Sequence, residues 1–358
     1  MNQKIALRDG YGKGLSELEN PDVVVLTADL GESSRIKDFI TKYPARFVQV
    51  GISEQDMFGI ANGLGLEGKI PFTNTFASFC LRGHEQIRMI AINNSNVKII
   101  GHHAGISLGA DGVSQMCEED ISLFRTMPNF VVVSPCDALE AQKAVSEIVK
   151  INGPVYLRVS REPSFIITNE YTDFKIGKAN ILKDGNDVLI VSCGLMVAES
   201  LKAAQALEQN GISACVMNMH TIKPLDKETL SKYAEKCSCV VSVEEHSIYG
   251  GLGSAVCEAL SMSGIPVKIV GINDSFGESG RCEELFEKFG LTADNIFRQC
   301  MQVVKHKNRA NAAHAKSSSQ PMPVQPVQDP RNRIVKMTPA QKEQMDDVLN
   351  KMFGTKKR

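Results

Sequence analysis

No apolar run in this 358-residue sequence approaches the length of a membrane-spanning helix. The first residues, M-N-Q-K-I-A-L-R-D, lack the apolar core of a signal peptide. Both absences make the cytoplasm the expected location, with no membrane partner. An excess of one charge is also lacking. The formal net charge is −1, which removes the electrostatic argument for nucleic acid. That near-neutrality hides a split: from Lys305 onward there are 12 Lys and Arg against 4 Asp and Glu, a net of +8, leaving −9 on residues 1–304. Cysteine occurs ten times but never at metal or redox spacing. The closest pair, Cys237-Ser238-Cys239, is one residue too tight for a CxxC site. Buried free thiols in a reducing compartment are therefore expected.

What is present is a globular composition, 43% hydrophobic and 23% charged. Residues 1–180 alternate short apolar strands with helices. Strands are expected over 23–27, 46–50, 70–75, 97–101, 130–134 and 155–159. Helices are expected from 57, from the end of the third strand to about Ile92, and over 120–127 and 139–149. A second unit, residues 185–304, repeats the pattern with strands over 188–192, 212–217, 240–243 and 267–272. Its helices are expected over 197–209, 226–237 and 253–262, and a polar link near 170–183 separates the units. Short apolar strands separated by helices imply parallel sheets covered on both faces, so the fold class is α/β with two doubly wound domains. Residues 305–337, rich in Lys, Ala, Ser, Pro and Gln, cannot bury a core and read as a disordered linker. A helix is expected over 338–354. Thr338 would cap it, Pro339 would open it, and Met345, Val348, Leu349, Met352 and Phe353 would share one face.

Four stretches carry residues with chemistry. In Gly51-Ile52-Ser53-Glu54, a strand hands over to a helix, which puts Glu54 at the positive end of the helix dipole with Ser53 as its N-cap. In T-F-A-S-F-C-L-R, the residues Phe76, Phe79 and Arg82 recur every third position, so they share one face at a helix start and can stack on a flat heteroaromatic ring. The glycine-rich run G-H-H-A-G-I-S-L-G-A-D-G-V-S-Q from Gly101 to Gln115 follows a strand. It is a loop leaving the carboxyl end of the sheet, where open α/β sheets bind ligands. His102 and His103 find no third ligand at useful spacing, so no metal is expected there. Arg8 and Arg161, the latter just past a strand end, are candidate anion holders.

Order and spacing of these pieces resemble the transketolase family over roughly residues 4–304. The resemblance is carried by K-I-A-L-R-D-G-Y-G, V-G-I-S-E-Q-D-M, P-F-T-N-T-F-A-S-F, the loop 101–115, R-V-S-R, and V-E-E-H-S-I-Y-G-G-L-G-S-A-V from Val243. It is a resemblance to the later part of that enzyme, the pyrimidine-binding and C-terminal domains. The G-D-G…N signature for Mg²⁺ and diphosphate is not found; Ala110-Asp111-Gly112 and Lys183-Asp184-Gly185 are the nearest strings. The resemblance therefore implies the C-terminal subunit of a split transketolase. Such a subunit would use thiamine diphosphate and Mg²⁺, with the metal ligands on a separate N-terminal subunit, in a dimer of heterodimers acting on sugar phosphates.

By the same resemblance Glu54 hydrogen-bonds N1′ of the aminopyrimidine, and Phe76, Phe79 and Arg82 form its pocket. His103 contacts substrate oxygens, Asp111 reads a sugar hydroxyl, and Arg8, Ser33, His103 and Arg161 hold the substrate phosphate. Asp29 lies near the cofactor and substrate channel, and Gln115 stands where some relatives carry histidine. Two other enzyme readings are a 2-oxo acid dehydrogenase beta subunit, which the phosphate cluster with His103 opposes, and a deoxyxylulose-phosphate synthase-like enzyme, which is normally one chain with the first domain. A non-catalytic scaffold of the same fold would have no need of Glu54, Phe76, Phe79, His103, Asp111 and Arg161.

Overall fold

The computed structural model describes residues 3–318 together with 338–340 and 343. The chain divides into two units, residues 1–310 and 311–358. In the second unit the described residues are helical to Ser318 and again at Pro339, Ala340 and Glu343. Most of the helix expected over 338–354 lies outside the described residues.

The first unit begins with β1 (Lys4–Ala6), α1 (Leu7–Ser16), β2 (Val23–Thr27), α2 (Lys37–Lys42), β3 (Phe47–Gln49), α3 (Glu54–Leu66), β4 (Ile70–Phe76) and α4 (Ala77–Cys80). There follow α5 (His84–Ile92), β5 (Lys98–His102), α6 (Asp120–Thr126), β6 (Val131–Val133), α7 (Ala138–Ile148), β7 (Val155–Val159) and β8 (Pro163–Phe165). The chain continues with β9 (Asn180–Lys183), β10 (Val188–Ser192), α8 (Met196–Gln209), β11 (Ala214–Asn218), β12 (Thr221–Lys223) and α9 (Lys227–Cys237). It ends with β13 (Val240–Ser247), α10 (Leu252–Ala259), β14 (Val267–Ile272), α11 (Cys282–Lys288) and α12 (Ala293–Ser318).

A seven-stranded sheet runs β12-β6-β7-β5-β4-β2-β3, parallel except for the β12 edge. A five-stranded sheet runs β14-β13-β10-β11-β9, parallel except for the β9 edge. Strands such as V-Y-L-R-V (β7) and V-L-I-V-S (β10) are buried at every residue because helices cover both faces. The parallel α/β architecture is the expected one.

Three features depart from the sequence expectation. First, the polar link does not run to Lys183, because Asn180–Lys183 pairs antiparallel with β11 and edges the second sheet. Second, β12, from the second half of the chain, crosses to pair with β6 in the first sheet. Third, the body does not end at Val304. α12 continues into the segment expected to be a disordered linker, as far as Ser318, since K-H-K-N-R-A-N-A-A-H-A-K is rich in strong helix formers; the rest of that segment, 319–337, lies outside the described residues. Lys307 anchors it by donating to the carbonyls of Asp187 (2.7 Å) and Cys237 (3.1 Å).

Helix α1 is the least expected element, because Gly10, Gly12 and Gly14 give its sequence low helix propensity. Packing decides it. A Cβ on Gly10 would stand 2.6 Å from the carbonyl carbon and 2.7 Å from the Cα of Ala138, and one on Gly14 2.8 Å from the Gln142 carbonyl oxygen. The glycines let α1 lie backbone against backbone on α7, and this contact brings Arg8 to the edge of the sheet.

Candidate functional site

The candidate residues gather at the carboxyl edge of the first sheet. After β3, Gly51 turns the chain at φ 73° and α3 opens on Glu54. Ser53 holds the N-cap position, but its side chain makes no capping bond there, a departure from the expected cap. Glu54 is 4% exposed. Among the described residues its carboxylate accepts no hydrogen bond; its one partner is Arg82, with Nη1 at 3.9 Å. A carboxylate that accepts nothing from its own chain is free to take a donor from a ligand.

Phe76, Phe79 and Arg82 do not share a single helix. Phe76 closes β4, Phe79 lies in α4, and Arg82 in a 3-10 turn at Leu81–Gly83. They converge all the same. The two rings stack at 5.3 Å between centroids, and the Arg82 guanidinium lies 5.4 Å from the Phe79 centroid. Phe76 also meets the His103 ring, at 3.9 Å between centroids. That contact joins the aromatic half of the site to the cationic half.

His103 follows β5 in a left-handed conformation, φ 55°, and is buried. Its Nε2 lies 3.3 Å from Nη1 of Arg8, so Nε2 is the acceptor and Nδ1 carries the proton. Nδ1 is buried with no hydrogen-bond partner. Burial, then the charges of Arg8, Arg161 and Arg35, push the His103 pKa down to about 3. The imidazole is therefore neutral at physiological pH, a fixed donor among three guanidinium groups. Arg8 also donates to the Ser33 carbonyl at 3.3 Å, so it is the backbone of Ser33 that this residue contributes here. Its Nε is buried without a partner. Arg161 pairs with Asp111 at 3.1 Å and donates to the Leu108 carbonyl at 3.1 Å.

Asp29 and Gln115 stand at the rim. Asp29, at φ 62°, is held by Gln49, whose side chain accepts from the amides of Asp29 (2.9 Å) and Gly51 (3.2 Å). Gln115 offers its carbonyl to the Ser78 hydroxyl at 3.0 Å. Among the described residues no three His, Cys, Asp or Glu side chains are grouped to hold a metal ion, and no helix is long and apolar enough to cross a membrane.

Residues 3–164 match the family description "Transketolase, pyrimidine binding domain", and residues 177–296 match "Transketolase, C-terminal domain". The chain belongs to the transketolase family. It is similar to a putative transketolase C-terminal section from Methanocaldococcus jannaschii, 43% identical over 308 residues, covering 84% of this chain and 96% of that one. A 6-deoxy-6-sulfo-D-fructose transketolase subunit from a Clostridium species is 41% identical over 84% of this chain and 95% of its own length. Among solved structures, a split-gene transketolase described as an inactive beta4 tetramer superposes with TM-score 0.78. It is 42% identical, over 85% of this chain and all of that one.

Several residues of this site were not visible as candidates in the sequence. Gln49, polar at the end of a short strand, ties the loop after β2 to the turn before Glu54. Tyr11 donates to Asn74 Oδ1 at 2.7 Å, and the same oxygen lies 3.2 Å from His102 Nε2, which forms a buried network behind His103. Arg35 completes the cationic group. Only the doubled serine and arginine of G-E-S-S-R hinted at it.

Proposed function

We propose that this chain is the C-terminal subunit of a two-chain transketolase, moving a two-carbon ketol unit from a ketose phosphate to an aldose phosphate. The observation that carries the reading is a single one. Glu54, a buried residue whose carboxylate accepts no hydrogen bond among the described residues, is linked through Arg82 to a stacked aromatic pair, and Phe76 of that pair touches a neutral histidine among three arginines.

The residues fit the aminopyrimidine end of thiamine diphosphate. Glu54 would hold a proton at N1′, and Phe76, Phe79 and Arg82 would pack on the ring. When bound, thiamine diphosphate supplies the carbon nucleophile that carries the two-carbon unit between sugars. The chain's own residues do the rest. His103, held by Arg8, has an unpartnered Nδ1–H that a substrate oxygen would satisfy. Arg8 and Arg161 take the sugar phosphate, with Ser33 beside them, while Asp111 both orients Arg161 and reads a hydroxyl. Asp29 and Gln115 line the approach. The groups for the diphosphate and Mg²⁺ are assigned to an N-terminal partner, in a dimer of heterodimers. The similar split-gene chain, described as inactive as a beta4 tetramer, supports the view that this chain alone does not turn over.

The test uses the purified chain, alone and mixed with an N-terminal subunit carrying G-D-G…N, with thiamine diphosphate and Mg²⁺. Ketol transfer from xylulose 5-phosphate to ribose 5-phosphate is followed. Activity confined to the mixture is expected. Activity of the chain alone, or a stable complex inert with every phosphorylated donor and acceptor pair tried, would overturn the reading.

A further inference from the structure

The loop 101–115 carries His103 and Asp111 and is folded locally by short turns, in which the amides of Gly109, Gly112 and Gln115 donate to the carbonyls of Ile106, Gly109 and Gly112. Four of its residues are left-handed: His103, Gly105, Gly109 and Gly112, at φ 55°, 82°, 80° and 85°. Two backbone links tie its first residues to neighbours: the Ala104 amide donates to the Val159 carbonyl at 3.4 Å and, in an isolated bridge, the Gly105 amide donates to the Cys117 carbonyl at 2.9 Å. A further constraint, with a side chain at its centre, comes from the second sheet. Glu245, on β13 and 2% exposed, accepts the Ser107 amide at 2.6 Å through Oε1. Ser107 is four residues from His103 and four from Asp111. The loop also closes over Glu245 at Gly105, where a Cβ would stand 3.0 Å from the glutamate Cγ and closer to its carboxylate. On its backbone side Glu245 is fixed in turn. Its carbonyl accepts from Arg158 Nη2 at 2.8 Å, and Arg158 Nε bonds Asp120 Oδ2 at 2.8 Å, an oxygen that also accepts the Tyr156 hydroxyl at 2.6 Å. Arg158 and Tyr156 belong to β7, the strand that delivers Arg161.

We infer that Glu245 is a positioning residue for the sugar-phosphate site: its carboxylate sets the loop 101–115, and so places His103 and Asp111 opposite Arg161. Nothing in the residue's own position touches substrate. It acts through the Ser107 amide, and it gives the second sheet a part in substrate binding. The inference rests on the transketolase reading for the identity of the ligand, but not for the grip on the loop. A buried carboxylate on a backbone N–H is a strong, directional hydrogen bond, and removing it leaves that amide unsatisfied.

The experiment compares wild type, Glu245→Gln and Glu245→Ala, each as the full chain in complex with its N-terminal subunit. Glutamine keeps a carbonyl oxygen that can accept from Ser107; alanine does not. Glu245→Ala is expected to raise KM for the phosphorylated acceptor by about tenfold, with a smaller change in kcat and no change in thiamine diphosphate affinity. Glu245→Gln is expected to restore KM to within about threefold of wild type. Hydrogen–deuterium exchange on the chain itself needs no substrate, and should show faster exchange over 104–112 in Glu245→Ala with β10 unchanged. If Glu245→Ala fails to assemble, Gly105→Ala displaces the same contact from the loop side and should give the same KM rise. Unchanged exchange over 104–112, or a KM that does not move in either alanine variant, overturns the positioning role. An inert wild-type complex would overturn the transketolase reading, and the exchange comparison would still decide the grip.

Discussion

Replacing Gly10 by alanine sets two physical effects against each other. Alanine in a helix interior is favoured over glycine by about 1 kcal/mol, so propensity alone predicts a more stable α1. Packing predicts the reverse. The new Cβ would stand 2.6 Å from the Ala138 carbonyl carbon, and the atoms it meets are backbone, which cannot swing aside. Carbon pairs pack at roughly 3.5–4.0 Å, so α1 and α7 would have to part by about 1 Å. Overpacking of that kind costs about 1–3 kcal/mol and sits at the top of the range when backbone must move. The net expectation is a loss of about 2 kcal/mol, or roughly 3 °C in Tm for a unit of 310 residues. Gly63 in α3 supplies the control, because nothing lies within 4 Å of its would-be Cβ, so Gly63→Ala should gain about 0.5–1 kcal/mol. Thermal unfolding of the two variants reads the signs directly. Arg8 lies two residues from Gly10 on the same helix, so Gly10→Ala should also weaken phosphosugar binding in the assembled enzyme. If Gly10→Ala matches Gly63→Ala in stability, close packing is not what selects glycine in α1.

Three further outcomes follow from the site. Glu54→Gln should reduce turnover of the assembled enzyme by roughly 10²-fold or more, with circular dichroism and subunit assembly unchanged; wild-type turnover would remove Glu54 from the chemistry. Arg161→Ala should raise KM for phosphorylated acceptors about 10- to 100-fold, as expected for lost charge-assisted hydrogen bonds, and leave unphosphorylated acceptors nearly unaffected; equal effects on both would deny Arg161 its phosphate role. Burial holds the folded His103 pKa at about 3, while the unfolded chain takes up that proton near the ordinary value of about 6.5. Its contribution to stability is thus fully present above pH 6.5 and is lost as pH falls toward 3, where His103→Gln should flatten the profile. Imidazole NMR should show no His103 titration between pH 5.5 and 8, and a midpoint near 6.5 would contradict the burial argument.

Where recognition was local, the sequence was enough. The buried strands over 155–159 and 188–192 are mostly apolar, V-Y-L-R-V and V-L-I-V-S, and hydrophobic burial on both faces needs no distant information. The handover from strand to helix at Gly51 and Glu54, and the glycine-rich loop with His103 and Asp111, were legible for the same reason, since turns and helix starts are written in neighbouring residues. Other features depended on partners far along the chain. The glycines of α1 read as helix breakers until α7 is packed against them. Residues 221–223, in the middle of the unit expected over 185–304, carry no strand signal until β6 of the first sheet accepts them as an edge. Glu245 reads as an ordinary strand-end carboxylate until Ser107, 138 residues earlier, donates to it. The sequence by itself determined the layered α/β architecture and the kinds of group at the site, because those follow from local pattern and side-chain chemistry. Tertiary structure decided which of those groups touch, which charges bear on His103, and that the second sheet holds the loop of the first. Those outcomes depend on burial and distance, which no single stretch of chain carries.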